Sequence, residues 1–426
     1  MLVAVTDHAA DRFRQRVRGT LEAKTEIAAR VARAHAAGRV ESGQRGAILV
    51  RDLQRPGLIY VCRPERDELV VTTLWEQGDD AAVPSDSRTR CAATTIGSHG
   101  APESPTSLER MSALPLPTRP LGIDGPQVSI AGLGCNNFGR RTDVAGTRAV
   151  IDAAIDDGVT FLDTSDSYGP RGLSEEHLGE VLQDRRDRVV LATKFGSDMG
   201  DGKGPRGSRA YVLDAIEASL RRLRTDAIDY YWYHKPDGVT PIQETLGALH
   251  ELVTAGKVRA IGASNFSGDQ LREADAVARR DRLTPFTAVQ NHYSLLVRDD
   301  DTDAIPACRE LGIGYVPFFP LASGLLTGKY HRGKPAPDGS RLSGRDQIAT
   351  PAQFDLIEAL ESYAAQRGVS LLDVAIGGLL ADDVVSTVIA GATKPEQVHS
   401  NAAAARWIPA GDDLEALKQL LADHPV

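Results

Sequence analysis

Cysteine is scarce in this 426-residue sequence: Cys62, Cys91, Cys135 and Cys308 stand far apart, with no CxxC pair among them. A disulfide framework or a zinc cluster needs a repeated thiol spacing, so neither is indicated, no metal ligand is named, and the four read as reduced thiols. No uninterrupted apolar run approaches the roughly 18 residues of a membrane span. The opening MLVAVTDHAADRFRQR also lacks the continuous apolar core of a secretory signal. Basic charge is not in excess either, because the formal net charge is −9. That balance argues against a nucleic acid or an anionic membrane as partner of the whole chain. The expectation is a soluble, cytoplasmic protein, and its 42% hydrophobic content is ample for a core.

What is present falls into three textures. Residues 1–78 set a charged helical stretch, about Ala9 to Ala37, beside β-branched runs at Ala47–Val50, Leu58–Cys62 and Leu69–Trp75, predicting a small α+β module. Residues 79–110 are poor in large hydrophobics and rich in Ser, Thr, Ala, Pro and Gly, the composition of a flexible linker. From Met111 to the C-terminus strand and helix patterns alternate, the signature of βα repeats. Within that part, TRPLGIDGPQVSI reads as a hairpin around Ile-Asp-Gly. Eight strand candidates follow: IAGLG, VTFLD, RVVLATK, IDYYWY, VRAIGAS, FTAVQ, GYVPFF and STVIAG. Helical stretches such as Thr147–Asp157 and Tyr211–Leu223 separate them, and eight is the strand count of a (β/α)8 barrel.

Four chemically active side chains lie at or just past the ends of these runs: Asp163 and Tyr168 in VTFLDTSDSYG, Lys194 in RVVLATKFG, and His234 in IDYYWYHKPD. Strand C-termini are where a parallel barrel places its chemistry. An acid, a phenol, an amine and an imidazole form a proton-delivery unit, in which Lys194 is expected to lower the pKa of Tyr168 while Asp163 holds the lysine. Reducing a carbonyl also takes a hydride, which side chains do not supply, so a nicotinamide cofactor is implied. The dinucleotide pattern GxGxxG is broken at Gly132-Leu-Gly134-Cys-Asn-Asn137, and Gly324-Leu-Leu-Thr-Gly328-Lys329-Tyr330 is one residue short of a P-loop. Neither a Rossmann nor a Walker site is expected.

These segments, together with GLGCNNFG (132–139), GKVRAIGASNF (256–266), VQNHYSLL (289–296), PFFPLASGLLTGKY (317–330) and IAGATKPEQVHSN (389–401), occur in the order in which they resemble the aldo-keto reductase superfamily. The resemblance runs from about Leu114 to the C-terminus. It implies a TIM barrel closed at its bottom by the hairpin, and reduction of aldehydes or ketones with Asp163, Tyr168, Lys194 and His234 as the catalytic set. For the cofactor it implies Ser264, Asn265 and Gln290 on the carboxamide, Phe318 stacked on the ring, and Lys329 and Arg341 on the pyrophosphate loop. Phe319 is either a cavity residue or core. The same motifs add Cys135, Asn136, Asp163, Pro320, Leu321 and Ser323 as cofactor contacts. Gly391, Thr393, Gln397 and Asn401 are implied at the adenosine end, with Lys394 as a charge for a 2′-phosphate. NADPH is favoured over NADH.

Within the superfamily the wording is similar to a branch of bacterial aldehyde reductases and the β subunits of voltage-gated potassium channels. That kinship supplies an alternative, a nucleotide-sensing regulatory subunit, but those subunits typically carry asparagine at the position of His234. Lys235 departs from the commoner Arg or Trp after the histidine, and substrate choice is expected from the loops 196–207, 292–302 and 321–350. The N-terminal module has 13 Lys and Arg against 10 Asp and Glu in residues 1–78, too small an excess to imply nucleic-acid binding. Whether it regulates the barrel or binds RNA separately stays open.

Overall fold

A computed structural model describes residues 2–5, 27, 30, 31, 40–42, 48–51, 58–65, 68–76 and 116–426 with the exception of 346. The chain divides into two compact units, 1–104 and 105–426. In the first, β1 (Leu2–Val5), β2 (Val40–Ser42), β3 (Ile48–Arg51), β4 (Leu58–Glu65) and β5 (Glu68–Glu76) form one sheet in the order β1-β5-β4-β3-β2. The three predicted strands are its centre. The two others, at the sheet's edges, are a strand of four residues and one of three, too short for a clear alternation pattern. Ile27 and Val31 are helical and buried, one turn apart. The rest of the predicted helix and the predicted linker at 79–110 lie outside the described residues.

The second unit opens with the hairpin β6 (Thr118–Pro120) and β7 (Gln127–Ser129), then closes eight parallel strands into a barrel. These are β8 (Ala131–Gly134), β9 (Phe161–Asp163), β10 (Val190–Phe195), β11 (Ile228–Tyr233), β12 (Val258–Ser264), β13 (Ala288–His292), β14 (Gly314–Phe318) and β15 (Val388–Gly391), with β15 pairing back onto β8. The (β/α)8 barrel is therefore the fold. Helices cover its outside, among them α1 (Val144–Asp156) and α2 (Arg209–Leu223). Both begin upstream of the expected Thr147 and Tyr211 because the side chains of Asp143 and Ser208 cap free amides of the first turn.

Period-2 alternation sorts the strand residues into two cores. Leu162, Leu191, Phe195, Tyr231, Tyr233, Ile261, Val289 and Tyr315 pack outward with the helices. Phe161, Ala192, Tyr230, Trp232, Ala260, Ala288, Val316 and Ile389 fill the barrel with the hairpin's Leu121 and Val128. Trp232 leaves no room opposite it: a Cβ on Gly262 would sit 2.6 Å from both Trp232 Cζ3 and Tyr230 Oη.

The hairpin is the floor. Gly122, at φ +80°, passes so close beneath β13 that a Cβ would lie 1.8 Å from the carbonyl oxygen of Thr287. Arg119 then donates to the carbonyls of Leu380, Asp382 and Val385 at 2.8, 3.2 and 2.7 Å, tying the floor to the end of the helix Leu371–Leu380 and the turn after it. No helix among the described residues is long and apolar enough to cross a membrane.

Candidate active site

Strand parity aims the chemistry. Phe161, Ala192, Ala260, Ala288 and Val316 face inward, so Asp163, Lys194, Ser264, Gln290 and Phe318, each an even step further along the same strand, face inward at its C-terminal end. The backbone amide of His234, just past β11, donates to Phe195 O at 2.8 Å, which holds the imidazole at the same rim.

Lys194 is fully buried and is ion-paired with Asp163. Its ammonium also donates to Thr164 O at 3.0 Å and to Tyr168 Oη at 3.1 Å. The second Asp163 oxygen accepts from Gln290 Nε2 at 3.0 Å. Burial opposes the charge on Lys194, but Asp163 and Tyr168 outweigh it and hold the pKa above the usual lysine value. For Tyr168 the expected direction is reversed. Lys194 does pull the phenol down, yet burial, helped by the Asp163 anion, leaves its pKa raised, so the phenol keeps its proton.

His234 Nδ1 meets Ser197 Oγ at 2.8 Å and Ser165 Oγ at 3.2 Å. Nε2 has no protein partner among the described residues. Burial first, then Lys194 and Lys235, pushes the imidazole pKa down to about 3, so the ring is neutral near pH 7. Its plane stands edge-on to Tyr168, with ring centroids 5.9 Å apart. Ser197 lies in one of the loops expected to shape the pocket. The sequence named neither hydroxyl, and only proximity in space could have revealed them.

Above this centre opens a cavity of about 700 Å³, within the range of cofactor sites. Of the residues named from sequence, Asn136, Asp163, Tyr168, His234, Ser264, Gln290, Phe318, Phe319, Pro320, Leu321, Ser323, Lys329, Arg341, Gly391, Thr393, Gln397 and Asn401 line it. Lys194 stands behind, reached through Tyr168 and Asp163. Cys135 is fully buried and its Sγ contacts Leu133 O, so it supports the wall without lining it. Asn265, at φ +59°, turns its amide onto His234 O at 2.9 Å and so buttresses the imidazole. Lys394 is exposed at the start of the helix Pro395–Ala404 and outside the lining. Phe319 is 37% exposed under the Arg341 guanidinium, 4.8 Å from its ring centroid, which settles the core alternative in favour of the cavity. Among lining residues that sequence reasoning missed are Asn137, Arg141, Glu396 and Ser400.

Several features fit a dinucleotide. Ser264 and Gln290 offer amide and hydroxyl groups at the deep end, next to an aromatic ring, Phe318. The rim at Ala322, Ser323 and Gly324 holds three successive residues at positive φ, of 45°, 61° and 98°. Such backbone costs on the order of 1–3 kcal/mol per non-glycine residue and persists mainly where a site requires it. The Lys329 ammonium lies against this turn, 3.0 Å from where a Gly324 Cβ would stand.

A family model described as the aldo/keto reductase family matches residues 131–421. The chain belongs to the aldo/keto reductase family. It is similar to the L-glyceraldehyde 3-phosphate reductase of Escherichia coli K12, 34% identical over 294 residues that cover 66% of this chain and 85% of that protein. The protein of the same description from Escherichia coli O157:H7 is 32% identical over 317 residues, 71% of this chain and 91% of its own length. This aldo/keto reductase is accordingly an NAD(P)H-dependent oxidoreductase, the class announced by the strand-end tetrad.

Proposed function

We propose that this aldo/keto reductase reduces small aldehydes to alcohols with NADPH, Tyr168 acting as general acid. When bound, the nicotinamide supplies the hydride. Ser264 and Gln290 would hold its carboxamide and Phe318 its ring, with Asn265 steadying His234 and Lys329 and Arg341 on the phosphates. The substrate carbonyl oxygen is placed between Tyr168 Oη and His234 Nε2. The neutral imidazole orients that oxygen, and the phenol, protonated in the resting site, transfers its proton as negative charge develops there. Lys194, held by Asp163, stabilises the phenolate left behind, so its pull on Tyr168 takes effect after transfer.

The single observation that carries this reading is the 3.1 Å contact between Lys194 Nζ and Tyr168 Oη with Asp163 paired behind it. The relatives' name, L-glyceraldehyde 3-phosphate reductase, makes phosphorylated and free short aldehydes the first to assay. Tyr168→Phe is expected to lower aldehyde reduction by on the order of a hundredfold or more, with NADPH affinity nearly intact. Near-normal turnover of that variant would remove Tyr168 as the acid. A chain that binds NADPH with no turnover on any aldehyde would favour the regulatory-subunit alternative.

A further inference from the structure

Arg140 and Arg141 follow the NNFG segment as a basic doublet. The carbonyl of Asn137 accepts from the backbone amides of Arg140, Arg141 and Thr142 at 3.2, 2.8 and 3.2 Å, which winds the doublet into a tight turn. The turn is fixed in place, because Asn137 Nδ2 donates to Ala392 O at 3.3 Å. It therefore abuts the corner where β15 ends, the corner that carries Gly391, Thr393 and Gln397.

Across the cavity the loop after β14 brings Arg341 to the same space, and both Arg141 and Arg341 line it. Among the described residues no carboxylate pairs with Arg140, Arg141 or Arg341. Arg341 is in turn held below the usual arginine pKa, first by partial burial, then by Arg141, Arg140 and Arg345. Four cations on two facing loops repel one another, and what relieves them is a ligand with several negative charges between the loops.

We propose that Arg141, with Arg140 adding its charge from the same turn, is a phosphate-binding residue, forming with Arg341 a two-sided clamp on the phosphate groups of the dinucleotide. This rests on the nicotinamide-dependent reading above. The anchoring of the turn on the β15 corner, beside Gly391, Thr393 and Gln397, assigns the clamp to the nucleotide's phosphates, although a phosphorylated aldehyde would bring the same chemistry. Glu396, on the neighbouring helix, also lines the cavity and adds negative charge at that end. A phosphate there depends on cations from elsewhere, and the doublet is on the loop next to it.

The test is equilibrium binding to the full chain, followed by quenching of protein fluorescence, with NADPH and NADH titrated separately at low and high salt. An Arg140→Gln/Arg141→Gln variant is expected to bind NADPH about tenfold or more weakly, since a hydrogen bond to a charged group is worth about 1.5–3 kcal/mol. Its affinity is also expected to fall less steeply with salt than that of the wild type. Unchanged affinity for both nucleotides would overturn the proposal. So would a variant that raises KM only for a phosphorylated aldehyde, which would give the doublet to the substrate. A wild-type chain that binds neither nucleotide would defeat the proposed function itself, whereas wild-type binding matched by the variant defeats only the clamp.

Discussion

Replacing Lys194 with methionine separates what the buried ion pair does for the fold from what it does for chemistry. Lys194 is 0% exposed and Asp163 2%, so the substitution leaves a carboxylate in the barrel interior that has lost its cation but still accepts from the Gln290 amide. Removing one partner of a buried pair costs about 3–5 kcal/mol. With roughly 2–4 °C of Tm per kcal/mol in domains of about 150–250 residues, Lys194→Met should lower Tm by on the order of 10 °C. The sign with pH follows from burial, which holds the Asp163 pKa up even against the Lys194 ammonium and acts without that opposition in the variant. A raised carboxyl pKa contributes stability at acid pH that is lost as pH rises, so the deficit should be larger at pH 8 than at pH 5. Asp163→Asn in the same chain removes the stranded charge. The double variant should regain most of the stability and none of the activity, because Tyr168 still lacks its cation. Urea unfolding at both pH values, followed by circular dichroism, checks this. A single variant as stable as the wild type at pH 8, or a double variant no more stable than the single, would refute the account of a dry, charged pair.

Asp166 is buried beside Glu175, and burial first, then that neighbour, pushes its pKa up to about 7. Its protonated form stabilises the fold below about pH 4, and this contribution disappears as pH rises through 7. Asp166→Asn should therefore gain stability at pH 8, by at most on the order of 4 kcal/mol, and little at pH 4. Equal effects at both pH values in thermal melts would contradict it. Gly262→Ala places a methyl 2.6 Å from Trp232 and Tyr230 and should cost about 1–3 kcal/mol in urea unfolding, so a neutral result would mean the barrel centre is looser than drawn. His234, with its pKa near 3, should show no imidazole titration between pH 5 and 8 by NMR. A midpoint near 6 would return a charged histidine to the mechanism.

Much of the barrel and its centre was legible because two simple periods coincide. Alternation along RVVLATK and VTFLD already determines that Lys194 and Asp163 share the inner face with Ala192 and Phe161, and the order of the strands makes them neighbours. The far wall of the cavity was legible only through resemblance, since Gln397 and Ser323 carry no chemistry that marks them singly. What escaped was set by three-dimensional proximity. Ser165 and Ser197 sit on different loops and meet at one ring nitrogen. The upward shift of Tyr168 depends on how much water its surroundings remove, which residue types do not encode. Arg141 was visible as a letter, but that it faces Arg341 required the folded loops.

The Arg119 ties and the Leu121 and Val128 side chains make the barrel a vessel with a sealed base. Traffic through it must then be ordered by depth. A dinucleotide reaching Gln290 and Ser264 occupies the innermost space, and an aldehyde between Tyr168 and His234 would lie outside it, towards the mouth. On the proposed reading, the nucleotide enters before the aldehyde and leaves after the alcohol.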